Sequence, residues 1–207
     1  MQLDFNSLSA NQIYHTMIQT VIPRPIAWVL SENESGNFNL APFSYFTAVA
    51  SDPALIMFSI GKKLDEDQQD INKDTLKNIQ NRKDFVVHIA HAELVNELNA
   101  SAANLAYGES ELDSSGLSTT PMDDFRLPRV TEAKIAFACS LYEIKEIGNK
   151  PMSLVFGEIH NAYICDSIIE QQENRNSINA NALNPLARLG GNDYTSIQAA
   201  LTIDRPK

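Results

Sequence analysis

The segment KDTLKN, residues 73–78, carries the residue types that bind an anion. A helix that begins at Asp74 or Thr75 presents unpaired backbone N–H groups and the positive end of its dipole at that point. Lys73 adds a positive charge, Thr75 a hydroxyl group and Asn78 a further donor. The segment therefore predicts a phosphate site, and an ordinary capped surface helix is the alternative that the same residues allow.

A second candidate lies near the C-terminus, where two glycines follow Arg188 and Leu189 and precede Tyr194. Gly190 and Gly191 have no side chains, so the backbone there can come close to a bound ligand. Tyr194 offers both a ring and a hydroxyl group. A tight turn that only orders the chain is the alternative interpretation.

The aromatic residues Trp28, Phe43, Tyr45 and Phe46 cluster around two predicted strands. Core packing explains most of them. Side chains alternate between the two faces of a strand, so Phe43 and Tyr45 share one face and Ser44 and Phe46 the other. Ser44 and Thr47, which stand among large apolar neighbours, predict hydroxyl groups beside a flat ring.

Several common catalytic motifs are missing from the sequence. The four histidines do not have the spacing of metal ligands, so no metal site is predicted. There is no GxSxG nucleophile elbow and no GxGxxG or GxxxxGKS/T nucleotide loop. Cys139 and Cys165 do not form a CxxC pair, and we expect both to be buried structural thiols. The sequence therefore assigns no catalytic acid or base.

Composition narrows the classes of partner. The chain has 207 residues, of which 43% are hydrophobic and 20% charged, with a formal net charge of −10. Long-range repulsion at this charge argues against nucleic acid and anionic membranes as partners. No apolar stretch approaches the roughly 20 residues that span a bilayer, and the N-terminus does not resemble a secretory signal. We therefore expect a cytoplasmic protein.

The candidate residues need a scaffold that positions them. Ser9 is predicted to cap a short helix, and residues 62–72 read as a solvated acidic loop. A helix is predicted over residues 92–106, and residues 107–129 read largely as loop. Strands are predicted at residues 26–30, 39–50, 54–60, 84–90, 134–144 and 153–164. This order indicates a mainly β, α+β fold with a closed or nearly closed antiparallel barrel, in one domain over residues 1–207.

Four blocks, taken together, resemble the flavin reductase-like domain family, the FMN-binding split barrels. They are PRPIAWV at residues 23–29, NLAPFSYF at 39–46, KDT with NI at 73–79, and RLGG with Tyr194 at 188–194. The blocks occur in the order of the family and span residues 24–194. The acidic connection before KDT is longer than the family's short turn, which puts the identity of the electron donor in question.

The resemblance implies a six-stranded antiparallel Greek-key split barrel with peripheral helices, a homodimer, and FMN in a groove at the subunit interface. It implies that Asn39, Leu40, Ala41 and Pro42 pass along the flavin ring. The residues implied at the phosphate and ribityl end of FMN are Arg24, Ser44, Lys73 and Thr75, with Asn78 as the further donor. Those implied near a second small-molecule substrate are Arg188, Gly190, Gly191 and Tyr194.

Three functions fit these expectations. The first is an NAD(P)H-dependent flavin reductase or a related flavin-linked oxidoreductase. The second is a non-catalytic FMN binder that carries electrons or stores flavin. The third is a split-barrel scaffold that has lost its cofactor, against which the KDT and RLGG blocks argue. Fold alone does not choose among them, since function belongs to the site.

Overall fold

The computed structural model describes residues 1–64, 69–172, 175–197, 199–203 and 206. The helices are α1 (Ala10–Thr20), α2 (Asp74–Arg82), α3 (Val95–Ala100), α4 (Glu111–Ser115) and α5 (Ala180–Leu183). The first strands are β1 (Arg24–Pro25), β2 (Ala27–Glu32), β3 (Phe38–Phe43), β4 (Phe46–Ser51), β5 (Ala54–Ile60), β6 (Lys62–Leu64), β7 (Asp70–Asn72) and β8 (Asp84–Ile89). The later strands are β9 (Thr119–Met122), β10 (Phe125–Val130), β11 (Ile135–Ile147), β12 (Met152–Ile164), β13 (Ile169–Gln172), β14 (Arg175–Ile178), β15 (Leu186–Arg188) and β16 (Tyr194–Ser196).

The main sheet is an antiparallel barrel. Its strand order is β3-β2-β8-β11-β12-β5-β4. Only Ser44 and Tyr45 separate β3 from β4, so the first and last strands of this order are two halves of one bent segment that closes the sheet. Counted in this way the barrel has six strands. β8, β11 and β12 are successive neighbours, and β5 returns beside β12 in a Greek-key arrangement. The predicted fold class is confirmed.

Strand alternation divides the apolar residues between two layers. The inner layer fills the barrel with residues from β2, β3, β5, β8, β11 and β12, including Phe58 and Phe85. The outer layer, which includes Trp28 and Leu30 of β2, packs beneath α3, α4, β9 and β10. Because side chains occupy the interior, a ligand of this barrel must bind outside it.

Helix α1 begins where the sequence predicts. The hydroxyl of Ser9 accepts a hydrogen bond from the N–H of Gln12, whose side chain accepts one in return from the N–H of Ser9. None of its residues is buried. Tyr14 and Met17 are 52% and 39% exposed, so the apolar face of this helix lies largely open.

The structure corrects three local predictions. The helix predicted over residues 92–106 is a 3-10 turn followed by α3, which ends at Ala100. The predicted loop at 107–129 contains α4 and the hairpin of β9 with β10. The predicted solvated loop at 62–72 contributes the paired strands β6 and β7, while its residues 65–68 lie outside the described part.

The two cysteines differ in environment. Cys139 is buried in the barrel, as predicted, and burial raises the pKa of its thiol. The prediction for Cys165 is wrong, because this residue follows β12 and is only half-buried. Among the described residues, no group of side chains has the composition to hold a metal ion, and no helix is long and apolar enough to cross a membrane.

Candidate functional site

The N-terminus of α2 faces a small pocket of about 90 Å³. Lys73 precedes the helix in an extended conformation, and its side chain does not cap it. In the part of the chain that the structure describes, the N–H groups of Asp74 and Thr75 donate no hydrogen bond. This helix start therefore offers two backbone donors and the positive end of a dipole, as the sequence predicts.

The side chains around this helix start are held by one another. Asn39 on β3 donates to the hydroxyl of Thr75 at 2.9 Å. Lys63 forms a salt bridge of 3.0 Å with Asp74, which offsets the negative charge of that carboxylate. Burial, and after it the charge of Lys63, lowers the pKa of Lys73. The ammonium group of Lys73 lies 5.8 Å from the centre of the Phe43 ring.

Glu111 completes the wall of the small pocket. This residue is 6% exposed, and its carboxylate accepts a hydrogen bond from the N–H of Leu40 at 2.8 Å. Burial raises the pKa of Glu111, and the nearby Asp74 adds to the shift. Among its described lining residues the pocket thus combines two lysines with two carboxyl groups, of which one is ion-paired and one has a raised pKa.

A large cavity of about 880 Å³ adjoins the small pocket. Pro42, Lys73 and Ala102 line both spaces. The cavity also has walls from α1, from the bend between β3 and β4, and from the segment around β15 and β16. Its volume lies within the range of about 300–1,000 Å³ that is usual for ligand sites.

The bend between β3 and β4 forms part of the wall of this cavity. The carbonyl of Tyr45 accepts a hydrogen bond from the N–H of Ser59 at 2.9 Å, which fixes the bend against β5. Within the described residues the N–H groups of Ser44 and Tyr45 donate no hydrogen bond. Burial raises the pKa of the Tyr45 phenol, as does the nearby Tyr14.

Ten of the residues predicted from the sequence line one of the two spaces. Those at the small pocket are Asn39, Ala41, Pro42, Lys73 and Thr75. Those at the large cavity are Arg24, Pro42, Ser44, Lys73, Arg188, Gly191 and Tyr194. The structure thus brings together blocks that lie more than 160 residues apart in the chain, as the pair Arg24 and Leu189 illustrates.

Three predicted residues line neither space. Asn78 is buried, and its amide donates to Ser31 at 3.1 Å and to Asn33 at 2.7 Å. Leu40 belongs to the outer apolar layer, and its N–H is bonded to Glu111. Gly190 packs against α1, where an added Cβ would lie 2.5 Å from a side-chain carbon of Gln19.

Sequence reasoning missed several residues of this site. Glu111 lies in a stretch predicted as loop. Tyr14 lies on α1, which was predicted as a helix without any link to the site. Lys62 comes from the segment predicted as a solvated loop, and Lys150 from the turn between the strands predicted at 134–144 and 153–164. None of these residues has a local signal for ligand binding.

The chain is similar to proteins of known fold over its whole length. The model of the flavin reductase like domain matches residues 19–180. Nitrilotriacetate monooxygenase component B of Bacillus cereus is 30% identical, with 98% of each chain covered and a TM-score of 0.87. The 2-nitrobenzoate 2-nitroreductase NbaA of Pseudomonas fluorescens is also 30% identical, with 100% of this chain and 96% of that chain covered and a TM-score of 0.85.

A protein of Shewanella frigidimarina with a split barrel domain shares the fold at 18% identity, with 100% of each chain covered and a TM-score of 0.82. The family match covers well over half of the chain and includes the barrel, α2 and the bend between β3 and β4. The chain therefore belongs to the flavin reductase-like domain family and has its split-barrel fold.

Proposed function

We propose that this chain binds FMN across the small pocket and the large cavity and acts as an NAD(P)H-dependent flavin oxidoreductase. The observation that carries the proposal is the uncapped N-terminus of α2, flanked by Lys73 and Thr75, which opens beside a cavity with free backbone donors. A bound flavin supplies the group that accepts a hydride, and the protein supplies orientation and electrostatics.

The small pocket suits the phosphate of FMN. The N–H groups of Asp74 and Thr75 and the Thr75 hydroxyl are donors, and Lys73 supplies the charge. Asn39 holds the hydroxyl in place. Charged hydrogen bonds of this kind contribute about 1.5–3 kcal/mol each.

The large cavity suits the flavin ring. Pro42 and the aromatic residues Phe43 and Tyr45 give it flat apolar walls, while the N–H groups of Ser44 and Tyr45 can donate to carbonyl or ring nitrogen acceptors. Arg188, Gly191 and Tyr194 lie along the same cavity and leave a place for a second substrate. This arrangement fits a site in which two flat molecules meet.

A second subunit as cover is part of the proposal. The barrel interior is filled, so the flavin lies outside it and needs shielding from water. Helix α1, which lines the cavity, has no buried residue, and Val49 on β4 is 49% exposed. A C2 homodimer that covers these apolar surfaces would also enclose the flavin groove.

A non-catalytic FMN binder is the second candidate, because the same phosphate and ring contacts would serve an electron carrier. The resemblance to a protein named as a nitroreductase favours catalysis. The absorbance of the purified protein under anaerobic NADH or NADPH separates the two. Bleaching of a bound flavin faster than free FMN supports the oxidoreductase. A bound flavin that neither nucleotide reduces would contradict the oxidoreductase and support the non-catalytic binder.

The phosphate assignment is tested by the double variant Lys73→Ala with Thr75→Ala. We expect FMN affinity to fall by at least about tenfold, because two donors to a charged group are lost, while riboflavin, which has no phosphate, loses less. Lys77→Ala is the matched control, since Lys77 lies on the same helix over the ring of Tyr107 and lines neither space. Equal losses for FMN and riboflavin would contradict the assignment.

A further inference from the structure

Two arginines of the large cavity stand opposite each other on neighbouring strands. Arg24 on β1 and Arg188 on β15 are Cα partners in an antiparallel ladder. Residues in this relation lie on the same face of the sheet, and like charges there destabilise the pair. Burial, and to a smaller extent the charge of Arg188, lowers the pKa of Arg24 against the raising effect of Tyr45. The fold therefore brings together two cations that repel each other.

Arg24 is occupied by the protein. Its Nε donates to the hydroxyl of Ser44 at 3.4 Å, and its Nη2 donates to the carbonyl of Leu189 at 3.0 Å. Its Nη1 donates to the carbonyls of Ile18 and Val21 at the end of α1. Four of the five N–H groups of a guanidinium are thus used. Arg24 ties α1 and the segment after β15 to the bend, and has little capacity left for a ligand.

Arg188, in contrast to Arg24, donates few hydrogen bonds to the protein. Its guanidinium lies over the ring of Tyr194, 4.3 Å from the ring centre, and only Nη2 donates a hydrogen bond, to the carbonyl of Gly191 at 2.8 Å. Within the described residues its other N–H groups donate no hydrogen bond and it forms no salt bridge. The ring of Tyr194 thus holds the guanidinium from one side, while no described carboxylate pairs with its charge.

The described lining of the surrounding cavity is basic although the chain carries a net charge of −10. The charged residues among its described lining are all cations, namely Arg24, Lys62, Lys73, Lys150 and Arg188. A cleft lined by one sign of charge concentrates ligands of the other sign. Lys73 also lines the small pocket, whereas Arg188 does not, so Arg188 lies outside the pocket proposed for the phosphate of FMN.

We infer that the second substrate is an anion and that Arg188 binds its carboxylate or phosphate group, with the flat part of the molecule against the flavin. This inference rests on the proposed function. The planar guanidinium suits bidentate binding of a carboxylate or a phosphate, and Tyr194 fixes its orientation beforehand. The anionic group can come from the pyrophosphate of a nicotinamide dinucleotide or from an aromatic acid.

Calorimetric titration of the FMN-loaded protein with NAD⁺ and with benzoate tests the inference. Arg188→Gln should lower the affinity for NAD⁺ or for benzoate, or for both, by about tenfold or more, because charged hydrogen bonds of about 1.5–3 kcal/mol each are lost. A weaker NAD⁺ complex identifies the pyrophosphate as the anion, and a weaker benzoate complex identifies a carboxylate. Unchanged affinities, or a wild-type protein that binds neither probe, would overturn the inference.

Flavin reduction by NADH, compared with reduction by N-benzyl-1,4-dihydronicotinamide, gives a second readout, since the latter donor carries no anionic group. The loss of rate in Arg188→Gln should be about tenfold greater for NADH if the pyrophosphate is bound. Arg188→Lys keeps the charge without the planar fork, and an intermediate effect supports bidentate binding. Lys145→Gln removes one exposed charge outside the cavity and controls for net charge.

Failure of the proposed function is detected separately. A wild-type protein whose added FMN stays free in absorbance and ultrafiltration would contradict FMN binding itself. Benzoate titration of the flavin-free protein still reports on Arg188 in that case, since the basic cavity does not depend on the flavin. Bound FMN and an unchanged melting temperature in Arg188→Gln show that the variant is folded.

Discussion

The carboxylate of Glu111 on α4 accepts a hydrogen bond from the backbone N–H of Leu40 on β3 at 2.8 Å. It therefore pins the outer edge of β3 at the point where that strand borders the small pocket. Ser110 strengthens the same connection, because its hydroxyl donates to the carbonyl of Phe38. A buried carboxyl group in a pocket proposed for a phosphate is electrostatically unfavourable, and this conflict leads to a first prediction.

Glu111→Gln keeps an acceptor for Leu40 and removes the charge. Because burial raises the pKa of Glu111, the wild-type carboxyl loses its proton at a higher pH than an ordinary glutamate, and above that pH it repels the phosphate. FMN affinity of the wild type should therefore fall as pH rises through this pKa, and that of Glu111→Gln should not. Above this pKa the variant should bind FMN about fivefold more tightly, a difference of about 1 kcal/mol.

Fluorescence titration with FMN and with riboflavin over a range of pH measures this effect. Riboflavin serves as the control, since it lacks the phosphate and should show little difference between the two proteins. A variant that binds FMN as the wild type does at every pH would place the phosphate away from Glu111.

His88 is predicted to make stability depend on pH. Its ring is fully buried, with Nδ1 at 2.9 Å from the carbonyl of Trp28 and Nε2 accepting from the N–H of Val130 at 2.9 Å. These partners require the neutral ring, and burial lowers its pKa to about 4. The unfolded chain therefore binds more protons than the folded protein between about pH 6.5 and 4. The contribution of His88 to the free energy of unfolding is fully present above pH 6.5 and is lost as pH decreases through this window.

The loss amounts to about 3 kcal/mol, which follows from the difference between the folded and unfolded pKa values. Urea unfolding at several pH values measures it. His88→Gln offers one donor and one acceptor without titrating, so its stability should lack this part of the pH dependence. A pH dependence as steep in the variant as in the wild type would assign the effect to other groups.

The barrel could be predicted from the sequence because alternation and strand propensity are local. Residues 84–90 were predicted as a strand, and β8 follows them to within one residue. The helix that was predicted to reach residue 106 ends at Ala100, and the next residue makes a contact that is not local. The hydroxyl of Ser101 accepts a hydrogen bond from the indole of Trp28 at 2.8 Å and donates to the carbonyl of Leu98 at 2.8 Å. This contact joins residues 73 positions apart.

The same distinction applies to the site. Lys73 and Thr75 were found because a helix start is visible in six residues, and Arg188 because it belongs to a block of the family. Glu111 was missed since its partner, Leu40, lies 71 residues away. Asn78 was assigned to the phosphate by proximity in sequence, but the turn of α2 directs its amide towards Ser31 and Asn33 instead.

Gly157 on β12 is predicted to be needed for packing inside the barrel. A Cβ at this position would lie 2.5 Å from the tip of the Phe85 ring, which is fully buried and packs edge-on against Phe58. Gly157→Ala should therefore destabilise the protein by about 1–3 kcal/mol, as overpacking does. In a protein that already carries Phe85→Leu, the further change Gly157→Ala should cost much less stability than it does in the wild type. Additive losses in denaturant unfolding would show that the two positions do not compete for space.

The open apolar face of α1 is predicted to lie in the proposed homodimer interface. Met17→Glu introduces a charge on that face and should shift light scattering towards the monomer and weaken FMN binding. His15 is two residues away and therefore on the opposite side of the helix, so His15→Glu carries the same charge change without this effect. A wild-type protein that is monomeric with FMN tightly bound would contradict the dimer.

Two variants of Gly191 separate a role of this residue in substrate binding from a role in the turn. Its φ of +61° lies in the left-handed region, and an added Cβ would meet nothing within 4 Å, so backbone conformation is the main constraint. Gly191→Val should lower the melting temperature, with a cost of about 1–2 kcal/mol, because a branched side chain is strained there. Asparagine tolerates this conformation, so Gly191→Asn should fold normally while adding a polar group to the cavity wall. Stopped-flow reduction by NADH then decides between the two roles. Slower reduction in a stable Gly191→Asn protein with FMN bound supports substrate contact, whereas wild-type rates in this variant would leave Gly191 only its place in the turn.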